Sequence, residues 1–236
     1  MNARNFSLEA SACRFSLGWR MTARFCGTAR KRIRIPKFGA TGETHMKTAF
    51  LGSVTALGLI LATAMSAAPL KLKPANPQPG NLRPGLNVSY GYASDKFKSL
   101  RLAHSIFEAN GKPGKPLRGL DYRDTEFGEN ALTSTAPWYL TAKITGYFKI
   151  DAPGIYDMEF FVNDGLEATI GGQQVGYADG INPCEGTVVT QVEAPVAGWY
   201  DLDLFYFQNA GTACLMMKMG PAGEKRQWVE NSAFAR

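Results

Sequence analysis

Histidine is nearly missing from this chain. There are two among 236 residues, His45 and His104, and the first falls in a basic leader. A Ser-His-Asp triad or a zinc centre built on several imidazoles therefore has almost no material to work with. The common catalytic and nucleotide motifs are missing too: the sequence holds no G-x-S-x-G elbow, no Walker loop and no H-E-x-x-H helix. Cysteine is scarce, with Cys13 and Cys26 in the leader and only Cys184 and Cys214 beyond it. That later pair is enough for one disulfide, or for one buried and one loop thiol, and spacing alone does not choose between them. The remaining route to catalysis is a carboxylate pair. Asp201 and Asp203 share one face of a strand, about 7 Å apart by strand rise, close to the separation glycosidases use. With Trp199 and Phe205 as neighbours, a mixed surface face is the simpler reading, and the chain is expected to be non-catalytic.

A surplus of acid is lacking as well, and the formal net charge of +6 invites a nucleic-acid reading. The location of the charge argues against it. Residues 1–45 hold nine Lys/Arg against two Glu, a surplus of seven, whereas from Lys71 onward sixteen basic residues face eighteen acidic ones. The main domain is slightly acidic, so neither nucleic acid nor an anionic membrane surface is implied as a partner.

The leader, residues 1–45, has no sustained apolar periodicity, and it is densest in charge at ARKRIRIPKF. Met46-Lys47 follows, then the apolar run 49–61 and the small residues ATAMSAA. These are the n-region, h-region and cleavage region of a secretory signal peptide over residues 46–67. Met46 is read as the true start, and the protein as secreted or periplasmic with no membrane span after processing. The rival is a signal anchor, since residues 49–68 are about as long as a bilayer span; the small, hydroxylated end favours cleavage. Residues 68–85 carry Pro74, Pro77, Pro79 and Pro84 and are expected to be an extended linker. The domain proper is then 86–236.

Within it, residues 97–109 are ambiguous between a short helix and a bent strand. Residues 111–119 are a Gly/Pro loop. Asp121, Asp124, Glu126 and Glu129 form a loose acidic cluster without EF-hand spacing, read as a solvated loop. From Leu140 the pattern becomes clear. Leu140, Ala142, Ile144, Gly146, Phe148 and Ile150 alternate with polar residues, the period of a half-buried strand. Pro153-Gly154 reads as a turn. Tyr156, Met158, Phe160 and Val162 line a second strand, which ends at Asn163-Asp164-Gly165. Leu166, Ala168 and Ile170 carry a third, closed by Gly171-Gly172 in a two-residue hairpin. Later, Ala197-Gly198 leads into a strand with Tyr200, Leu202, Leu204 and Tyr206 on one face. Asn209-Ala210-Gly211 reads as a last hairpin turn before Ala213, Leu215, Met217 and Met219.

Gly-Tyr, an alternating strand, Pro-Gly-x-Tyr, another strand, an acidic pair with Gly, and a strand ending in x-Gly together resemble the protective-antigen-type domain, the PA-fourteen family. The resemblance covers about 86–236 and is densest from Leu140 onward. It implies an all-β fold, an antiparallel β-sandwich or barrel of jelly-roll-like form. It also implies a site. In sugar-binding members two consecutive Asp residues hold a Ca²⁺ that coordinates ligand hydroxyls, and their positions correspond to Asn163 and Asp164; here the first is an amide.

Six to eight oxygens surround a Ca²⁺. Asn163 and Asp164, with Asp179 or Asn182 from the loop 177–186, are the expected ligands, and Tyr177 is placed to cover a sugar. The bland alternative is that Asn163-Asp164-Gly165 is a hairpin turn and nothing more. The expected function is an exported binding module for a glycan or a cell-envelope component. The alternatives are a structural or protein-interaction module without metal, and an accessory domain of a glycoside-acting system.

Overall fold

The computed structural model describes residues 67–236; the extension over 1–45 and all but the last residue of the signal segment over 46–67 lie outside the described residues. In chain order the elements are β1 (Leu70–Lys71), β2 (Asn87–Tyr92), α1 (Leu100–Asn110), β3 (Lys112–Pro113), β4 (Asp121–Tyr122), β5 (Leu140–Ile150), β6 (Gly154–Asn163) and β7 (Gly165–Ile170). They continue with β8 (Gln173–Ala178), β9 (Glu185–Gly186), β10 (Thr190–Ala194), β11 (Gly198–Gln208), β12 (Cys214–Pro221), β13 (Gln227–Trp228) and β14 (Phe234–Ala235).

Two sheets result. One runs β1-β10-β6-β12-β13, with β4 also beside β12 and β9 beside β6; the other runs β3-β2-β5-β11-β7-β8, with β14 beside β5. Among the described residues only β1 and β10 pair in parallel. This is an all-β sandwich without closure into a barrel, and the alternation in the sequence explains how it is filled. Leu140, Ala142, Ile144 and Phe148 of β5 and Tyr200, Leu202, Leu204 and Tyr206 of β11 turn inward from one sheet. Met158, Phe160 and Val162 of β6 meet them from the other, with Leu215 and Met217 of β12. All of these are buried, whereas Tyr156, also expected in the core, is only partly covered at its edge.

The alternation assigns faces but not partners, and here the structure differs from the hairpin turns read at 163–165 and 209–211. β5 and β6 lie in different sheets, as do β6 and β7, and β11 and β12. Asn163-Asp164-Gly165 and Asn209-Ala210-Gly211 are therefore not hairpin turns but crossings from one sheet to the other. Gly165 does not use a positive φ. It is glycine because a Cβ there would sit 2.1 Å from the Phe207 ring. Gly171 and Gly172, at φ +54° and +73°, do form the expected tight hairpin between β7 and β8.

Residues 68–85 are extended, as proline dictates, but they are not a free linker. Leu72 and Ala75 are buried, Lys73 N–H donates to Gly171 O at 2.9 Å, and Ala75 N–H donates to Trp199 O at 2.9 Å. Two apolar side chains between the prolines are enough to dock the strap on the sandwich.

The ambiguous stretch is a helix, α1, capped by the Ser99 hydroxyl, which accepts from Leu102 N–H. It covers the outer face of β11, where Phe205 and Phe207 pack with Phe97, Leu100 and Ala103 in a second apolar cluster. The only histidine of the domain is spent on this surface: His104 stacks on Phe205 at 3.8 Å and its Nε2 lies 2.8 Å from Glu167. Among the described residues no helix is long and apolar enough to cross a membrane.

Candidate functional site at the sheet crossings

Four connections pass between the sheets at one end of the sandwich. They are Asn163-Asp164, the segment 209–213, the segment 179–184 and the segment 123–139, and side chains tie them to one another. The Cys184–Cys214 disulfide, with Cα atoms 5.9 Å apart, staples the third to the second. Cys214 is paired across the sheet with Asn163. Trp138 Nε1 donates to Gly211 O at 2.9 Å, and Ala213 N–H donates to Thr125 Oγ1 at 2.9 Å, which fastens the fourth.

Polar side chains are buried where the crossings meet. Asn163, Asp164 and Asn209 are 8%, 1% and 7% exposed, and the Asn163-Asp164 peptide is cis. Asp164 Oδ2 accepts the Asn209 N–H at 2.7 Å, linking the first two crossings directly. The Asn163 amide nitrogen donates weakly to Thr212 Oγ1 at 3.4 Å. Burial pushes the Tyr206 hydroxyl well above the usual tyrosine range, so it stays protonated and donates to Asn163 O at 2.7 Å.

Three oxygens are left over. Asn163 Oδ1, Asp164 Oδ1 and Asn209 Oδ1 are buried and accept no hydrogen bond from the protein. A buried polar atom without a partner costs about 1–3 kcal/mol, so three on adjoining segments are a concentrated penalty. Electrostatics agree: burial lifts the Asp164 carboxyl from 3.8 to about 6, against the N–H groups of Asn209, Asn182 and Ala210, which pull it down. One carboxylate and two amide oxygens are a hard-donor set, and they fit a hard cation.

The residues singled out in the sequence are divided by the structure. Asn163 and Asp164 lie at the centre. Asn182 lies beside them as a brace, its amide nitrogen donating to Asp164 O at 3.0 Å and to Asp179 O at 3.2 Å. Tyr177, 53% exposed, shares with Asn182 a cavity of about 210 Å³ that Glu185 and Thr187 also line. Asp179 is exposed, and its Oδ1 is committed to Leu100 N–H at 2.7 Å and Gly180 N–H at 2.8 Å; it fixes the start of α1. Sequence reasoning missed Asn209, because the "Asn-Ala-Gly" segment looked like an ordinary turn.

It also missed the aromatic pair beside that segment. Phe127, 74% exposed, lies 5.1 Å from Trp138. The loose acidic cluster does not gather. Among the described residues, the only grouping of metal-ligand type is Asp124 with Cys184 and Cys214, and both sulfurs are taken by the disulfide.

In sequence the chain matches no protein-family model and no curated protein. Solved structures share its fold. The PA14 domain of the MpAFP antifreeze protein superposes with a TM-score of 0.55 at 14% identity, covering 66% of this chain and 93% of that one. The PA14 sugar-binding domain of an RTX adhesin gives 0.52 at 16%, over 64% and 98%. The A domain of epithelial adhesin 9 from Candida glabrata, in complex with Galb1-3GlcNAc, gives 0.53 at 17%, over 68% and 92%. The described domain has the PA14-type fold that the strand-and-turn pattern implied.

Proposed function

We propose that this protein is an exported carbohydrate-binding module in which Asn163, Asp164 and Asn209 hold a Ca²⁺ through their side-chain oxygens. The observation that carries the reading is the three buried oxygens left without donors on two adjoining sheet crossings. A cation held among these crossings would give such oxygens the partner they lack. Vicinal hydroxyls of a sugar would complete its shell, since protein groups supply fewer than the six to eight oxygens Ca²⁺ takes. Aromatic surface for the apolar face of a pyranose is at hand on the bound segments, in Phe127 with Trp138 and in Tyr177. Two of the structural counterparts support the class: one is a sugar-binding domain and one is seen with a disaccharide. With a single carboxylate the affinity belongs in the weak range of extracellular modules, Kd about 10⁻⁴–10⁻³ M. That suits the extracellular side of the export signal read at residues 46–67.

Asp179 is left out of the ligand set because its Oδ1 is taken by Leu100 N–H and Gly180 N–H at the start of α1. The role of Asn182 is to hold Asp164 in place. Isothermal titration with Ca²⁺, followed by a glycan array with and without chelator, tests the proposal. Saturable Ca²⁺ binding that Asp164→Ala abolishes, together with chelator-sensitive glycan binding, is the expected result. If neither metal nor glycan binds, the module is a structural or protein-interaction domain. Glycan binding that persists in excess chelator would remove the metal from the mechanism. Export is read separately, by mass spectrometry of the mature N-terminus after expression from Met46.

A further inference from the structure

A second cavity lies at the other end of β11. It measures about 790 Å³ and is lined by the 82–85 and 115–118 segments, Trp199 and the last residues of the chain. Trp199 is the second residue of β11, and Asn209 immediately follows its last. Ten residues at about 3.3 Å each put the two sites roughly 30 Å apart. The cavity is within the range of about 300–1,000 Å³ usual for small-molecule sites.

Its lining combines two properties. The floor is mostly apolar, with Leu82, Pro84, Pro116 and Trp199 among its residues. Around this floor are four cations, Arg83, Lys115, Arg118 and Arg236, and no carboxylate side chain lines the cavity. Three of the four are exposed. Outside the groove five of the twelve cations from Lys71 onward are in ion pairs: Lys71 with Glu193 at 3.6 Å, Arg123 with Asp121 at 2.6 Å, Lys149 with Asp151 at 2.8 Å, Arg226 with Glu159 at 3.0 Å, and Lys143 with Asp203. Among the described residues, none of the four groove cations is in an ion pair with a carboxylate. In a domain with more acidic than basic residues, four cations gathered round one apolar hollow form a local field of one sign. The Arg236 guanidinium donates to Pro84 O, which holds its charge at the groove without neutralising it.

We propose that this groove binds a small amphipathic anion, its apolar body on the floor of Leu82, Pro84, Pro116 and Trp199 and its carboxylate, sulfonate or phosphate among Arg83, Lys115, Arg118 and Arg236. A fully polar anion would leave the floor wet, and a neutral apolar molecule would leave the cations without a partner. The site is independent of the Ca²⁺ reading, and its test is run in chelator so that the two fail separately.

The full chain is titrated with decanoate, decanol and inorganic phosphate by calorimetry, with the Trp199 indole N–H followed by heteronuclear NMR. Decanoate is expected to bind one per chain and to shift the Trp199 signal. Decanol and phosphate should each bind about tenfold more weakly or worse, since each loses one half of the contact. The double variant Arg83→Ala/Arg118→Ala, which changes two exposed side chains, should weaken decanoate about tenfold while leaving the Ca²⁺ titration unaltered. Should that variant fold poorly, added salt provides the same reading on the wild type, because screening weakens exposed charge pairs. The proposal is overturned if decanol binds as tightly as decanoate, or if neither salt nor the double variant weakens decanoate. A shift at Trp138 or Trp228 in place of Trp199 also overturns it. So does binding only to anionic phospholipid vesicles and to none of the soluble probes, which would make the groove a membrane contact.

Discussion

Replacing Asp164 by Asn isolates the electrostatic cost of the crossing. The substitution keeps the shape of a side chain that is 1% exposed and removes its charge. Burial lifts the carboxyl from 3.8 to about 6, and at 1.36 kcal/mol per pH unit that difference is worth about 3 kcal/mol. Because folding raises this value, protonation favours the folded chain. The stability associated with the neutral acid is fully present below about 3.8 and is lost as pH rises through about 6, after which the full penalty stands.

The variant escapes that penalty, and the value of about 6 already includes the charge-assisted hydrogen bond from Asn209 N–H. Asp164→Asn should therefore stabilise the metal-free protein by about 3 kcal/mol near pH 7.5, and the gain should disappear near pH 4. Calcium offsets this gain. At a hundred times its Kd a ligand stabilises the state that binds it by about 2.7 kcal/mol, a gain open to the wild type and lost with the only anionic ligand. Urea unfolding of both proteins at several pH values, in chelator and in Ca²⁺, measures every term. A variant less stable than the wild type near pH 7.5 in chelator, or a difference between them that does not change with pH, would refute the reasoning.

Further outcomes follow from neighbouring contacts. Asn163→Asp adds a second anionic oxygen and should tighten Ca²⁺ about tenfold by calorimetry, while destabilising the metal-free protein through two adjacent buried carboxylates. Gly165→Ala places a methyl 2.1 Å from the Phe207 ring; it should cost about 1–3 kcal/mol in urea unfolding. Breaking the Cys184–Cys214 bridge, which closes a separation of 30 residues, should cost about 3–4 kcal/mol by the loop-entropy relation. It should also weaken Ca²⁺ by freeing the Asn182 brace, as a Cys184→Ser/Cys214→Ser variant would show. Phe160→Ala, at a fully buried ring, should cost about 3–5 kcal/mol.

The sequence by itself determined which face of each long strand is buried. The reason is local: side chains alternate along a strand, so Phe160, Leu204 and Leu215 declare their side without reference to any partner. It also determined the tight hairpin at Gly171-Gly172, whose positive φ values few other residues adopt. The motif also singled out Asn163 and Asp164, which the structure places at the crossings.

What only the tertiary structure decided is which strand each face meets. Alternation is the same whether β6 continues into β7 as a hairpin or crosses to the opposite sheet, and only packing of the whole sandwich separates the two. That one decision turns Asn163-Asp164 from a surface turn into a buried crossing and brings up Asn209, 45 residues further on, to bond Asp164. It diverts Asp179 to the start of α1. It also draws Arg83, Arg118 and Arg236, scattered through the chain, around one hollow. Sites assembled from segments so far apart are set by long-range burial, and no local pattern encodes them.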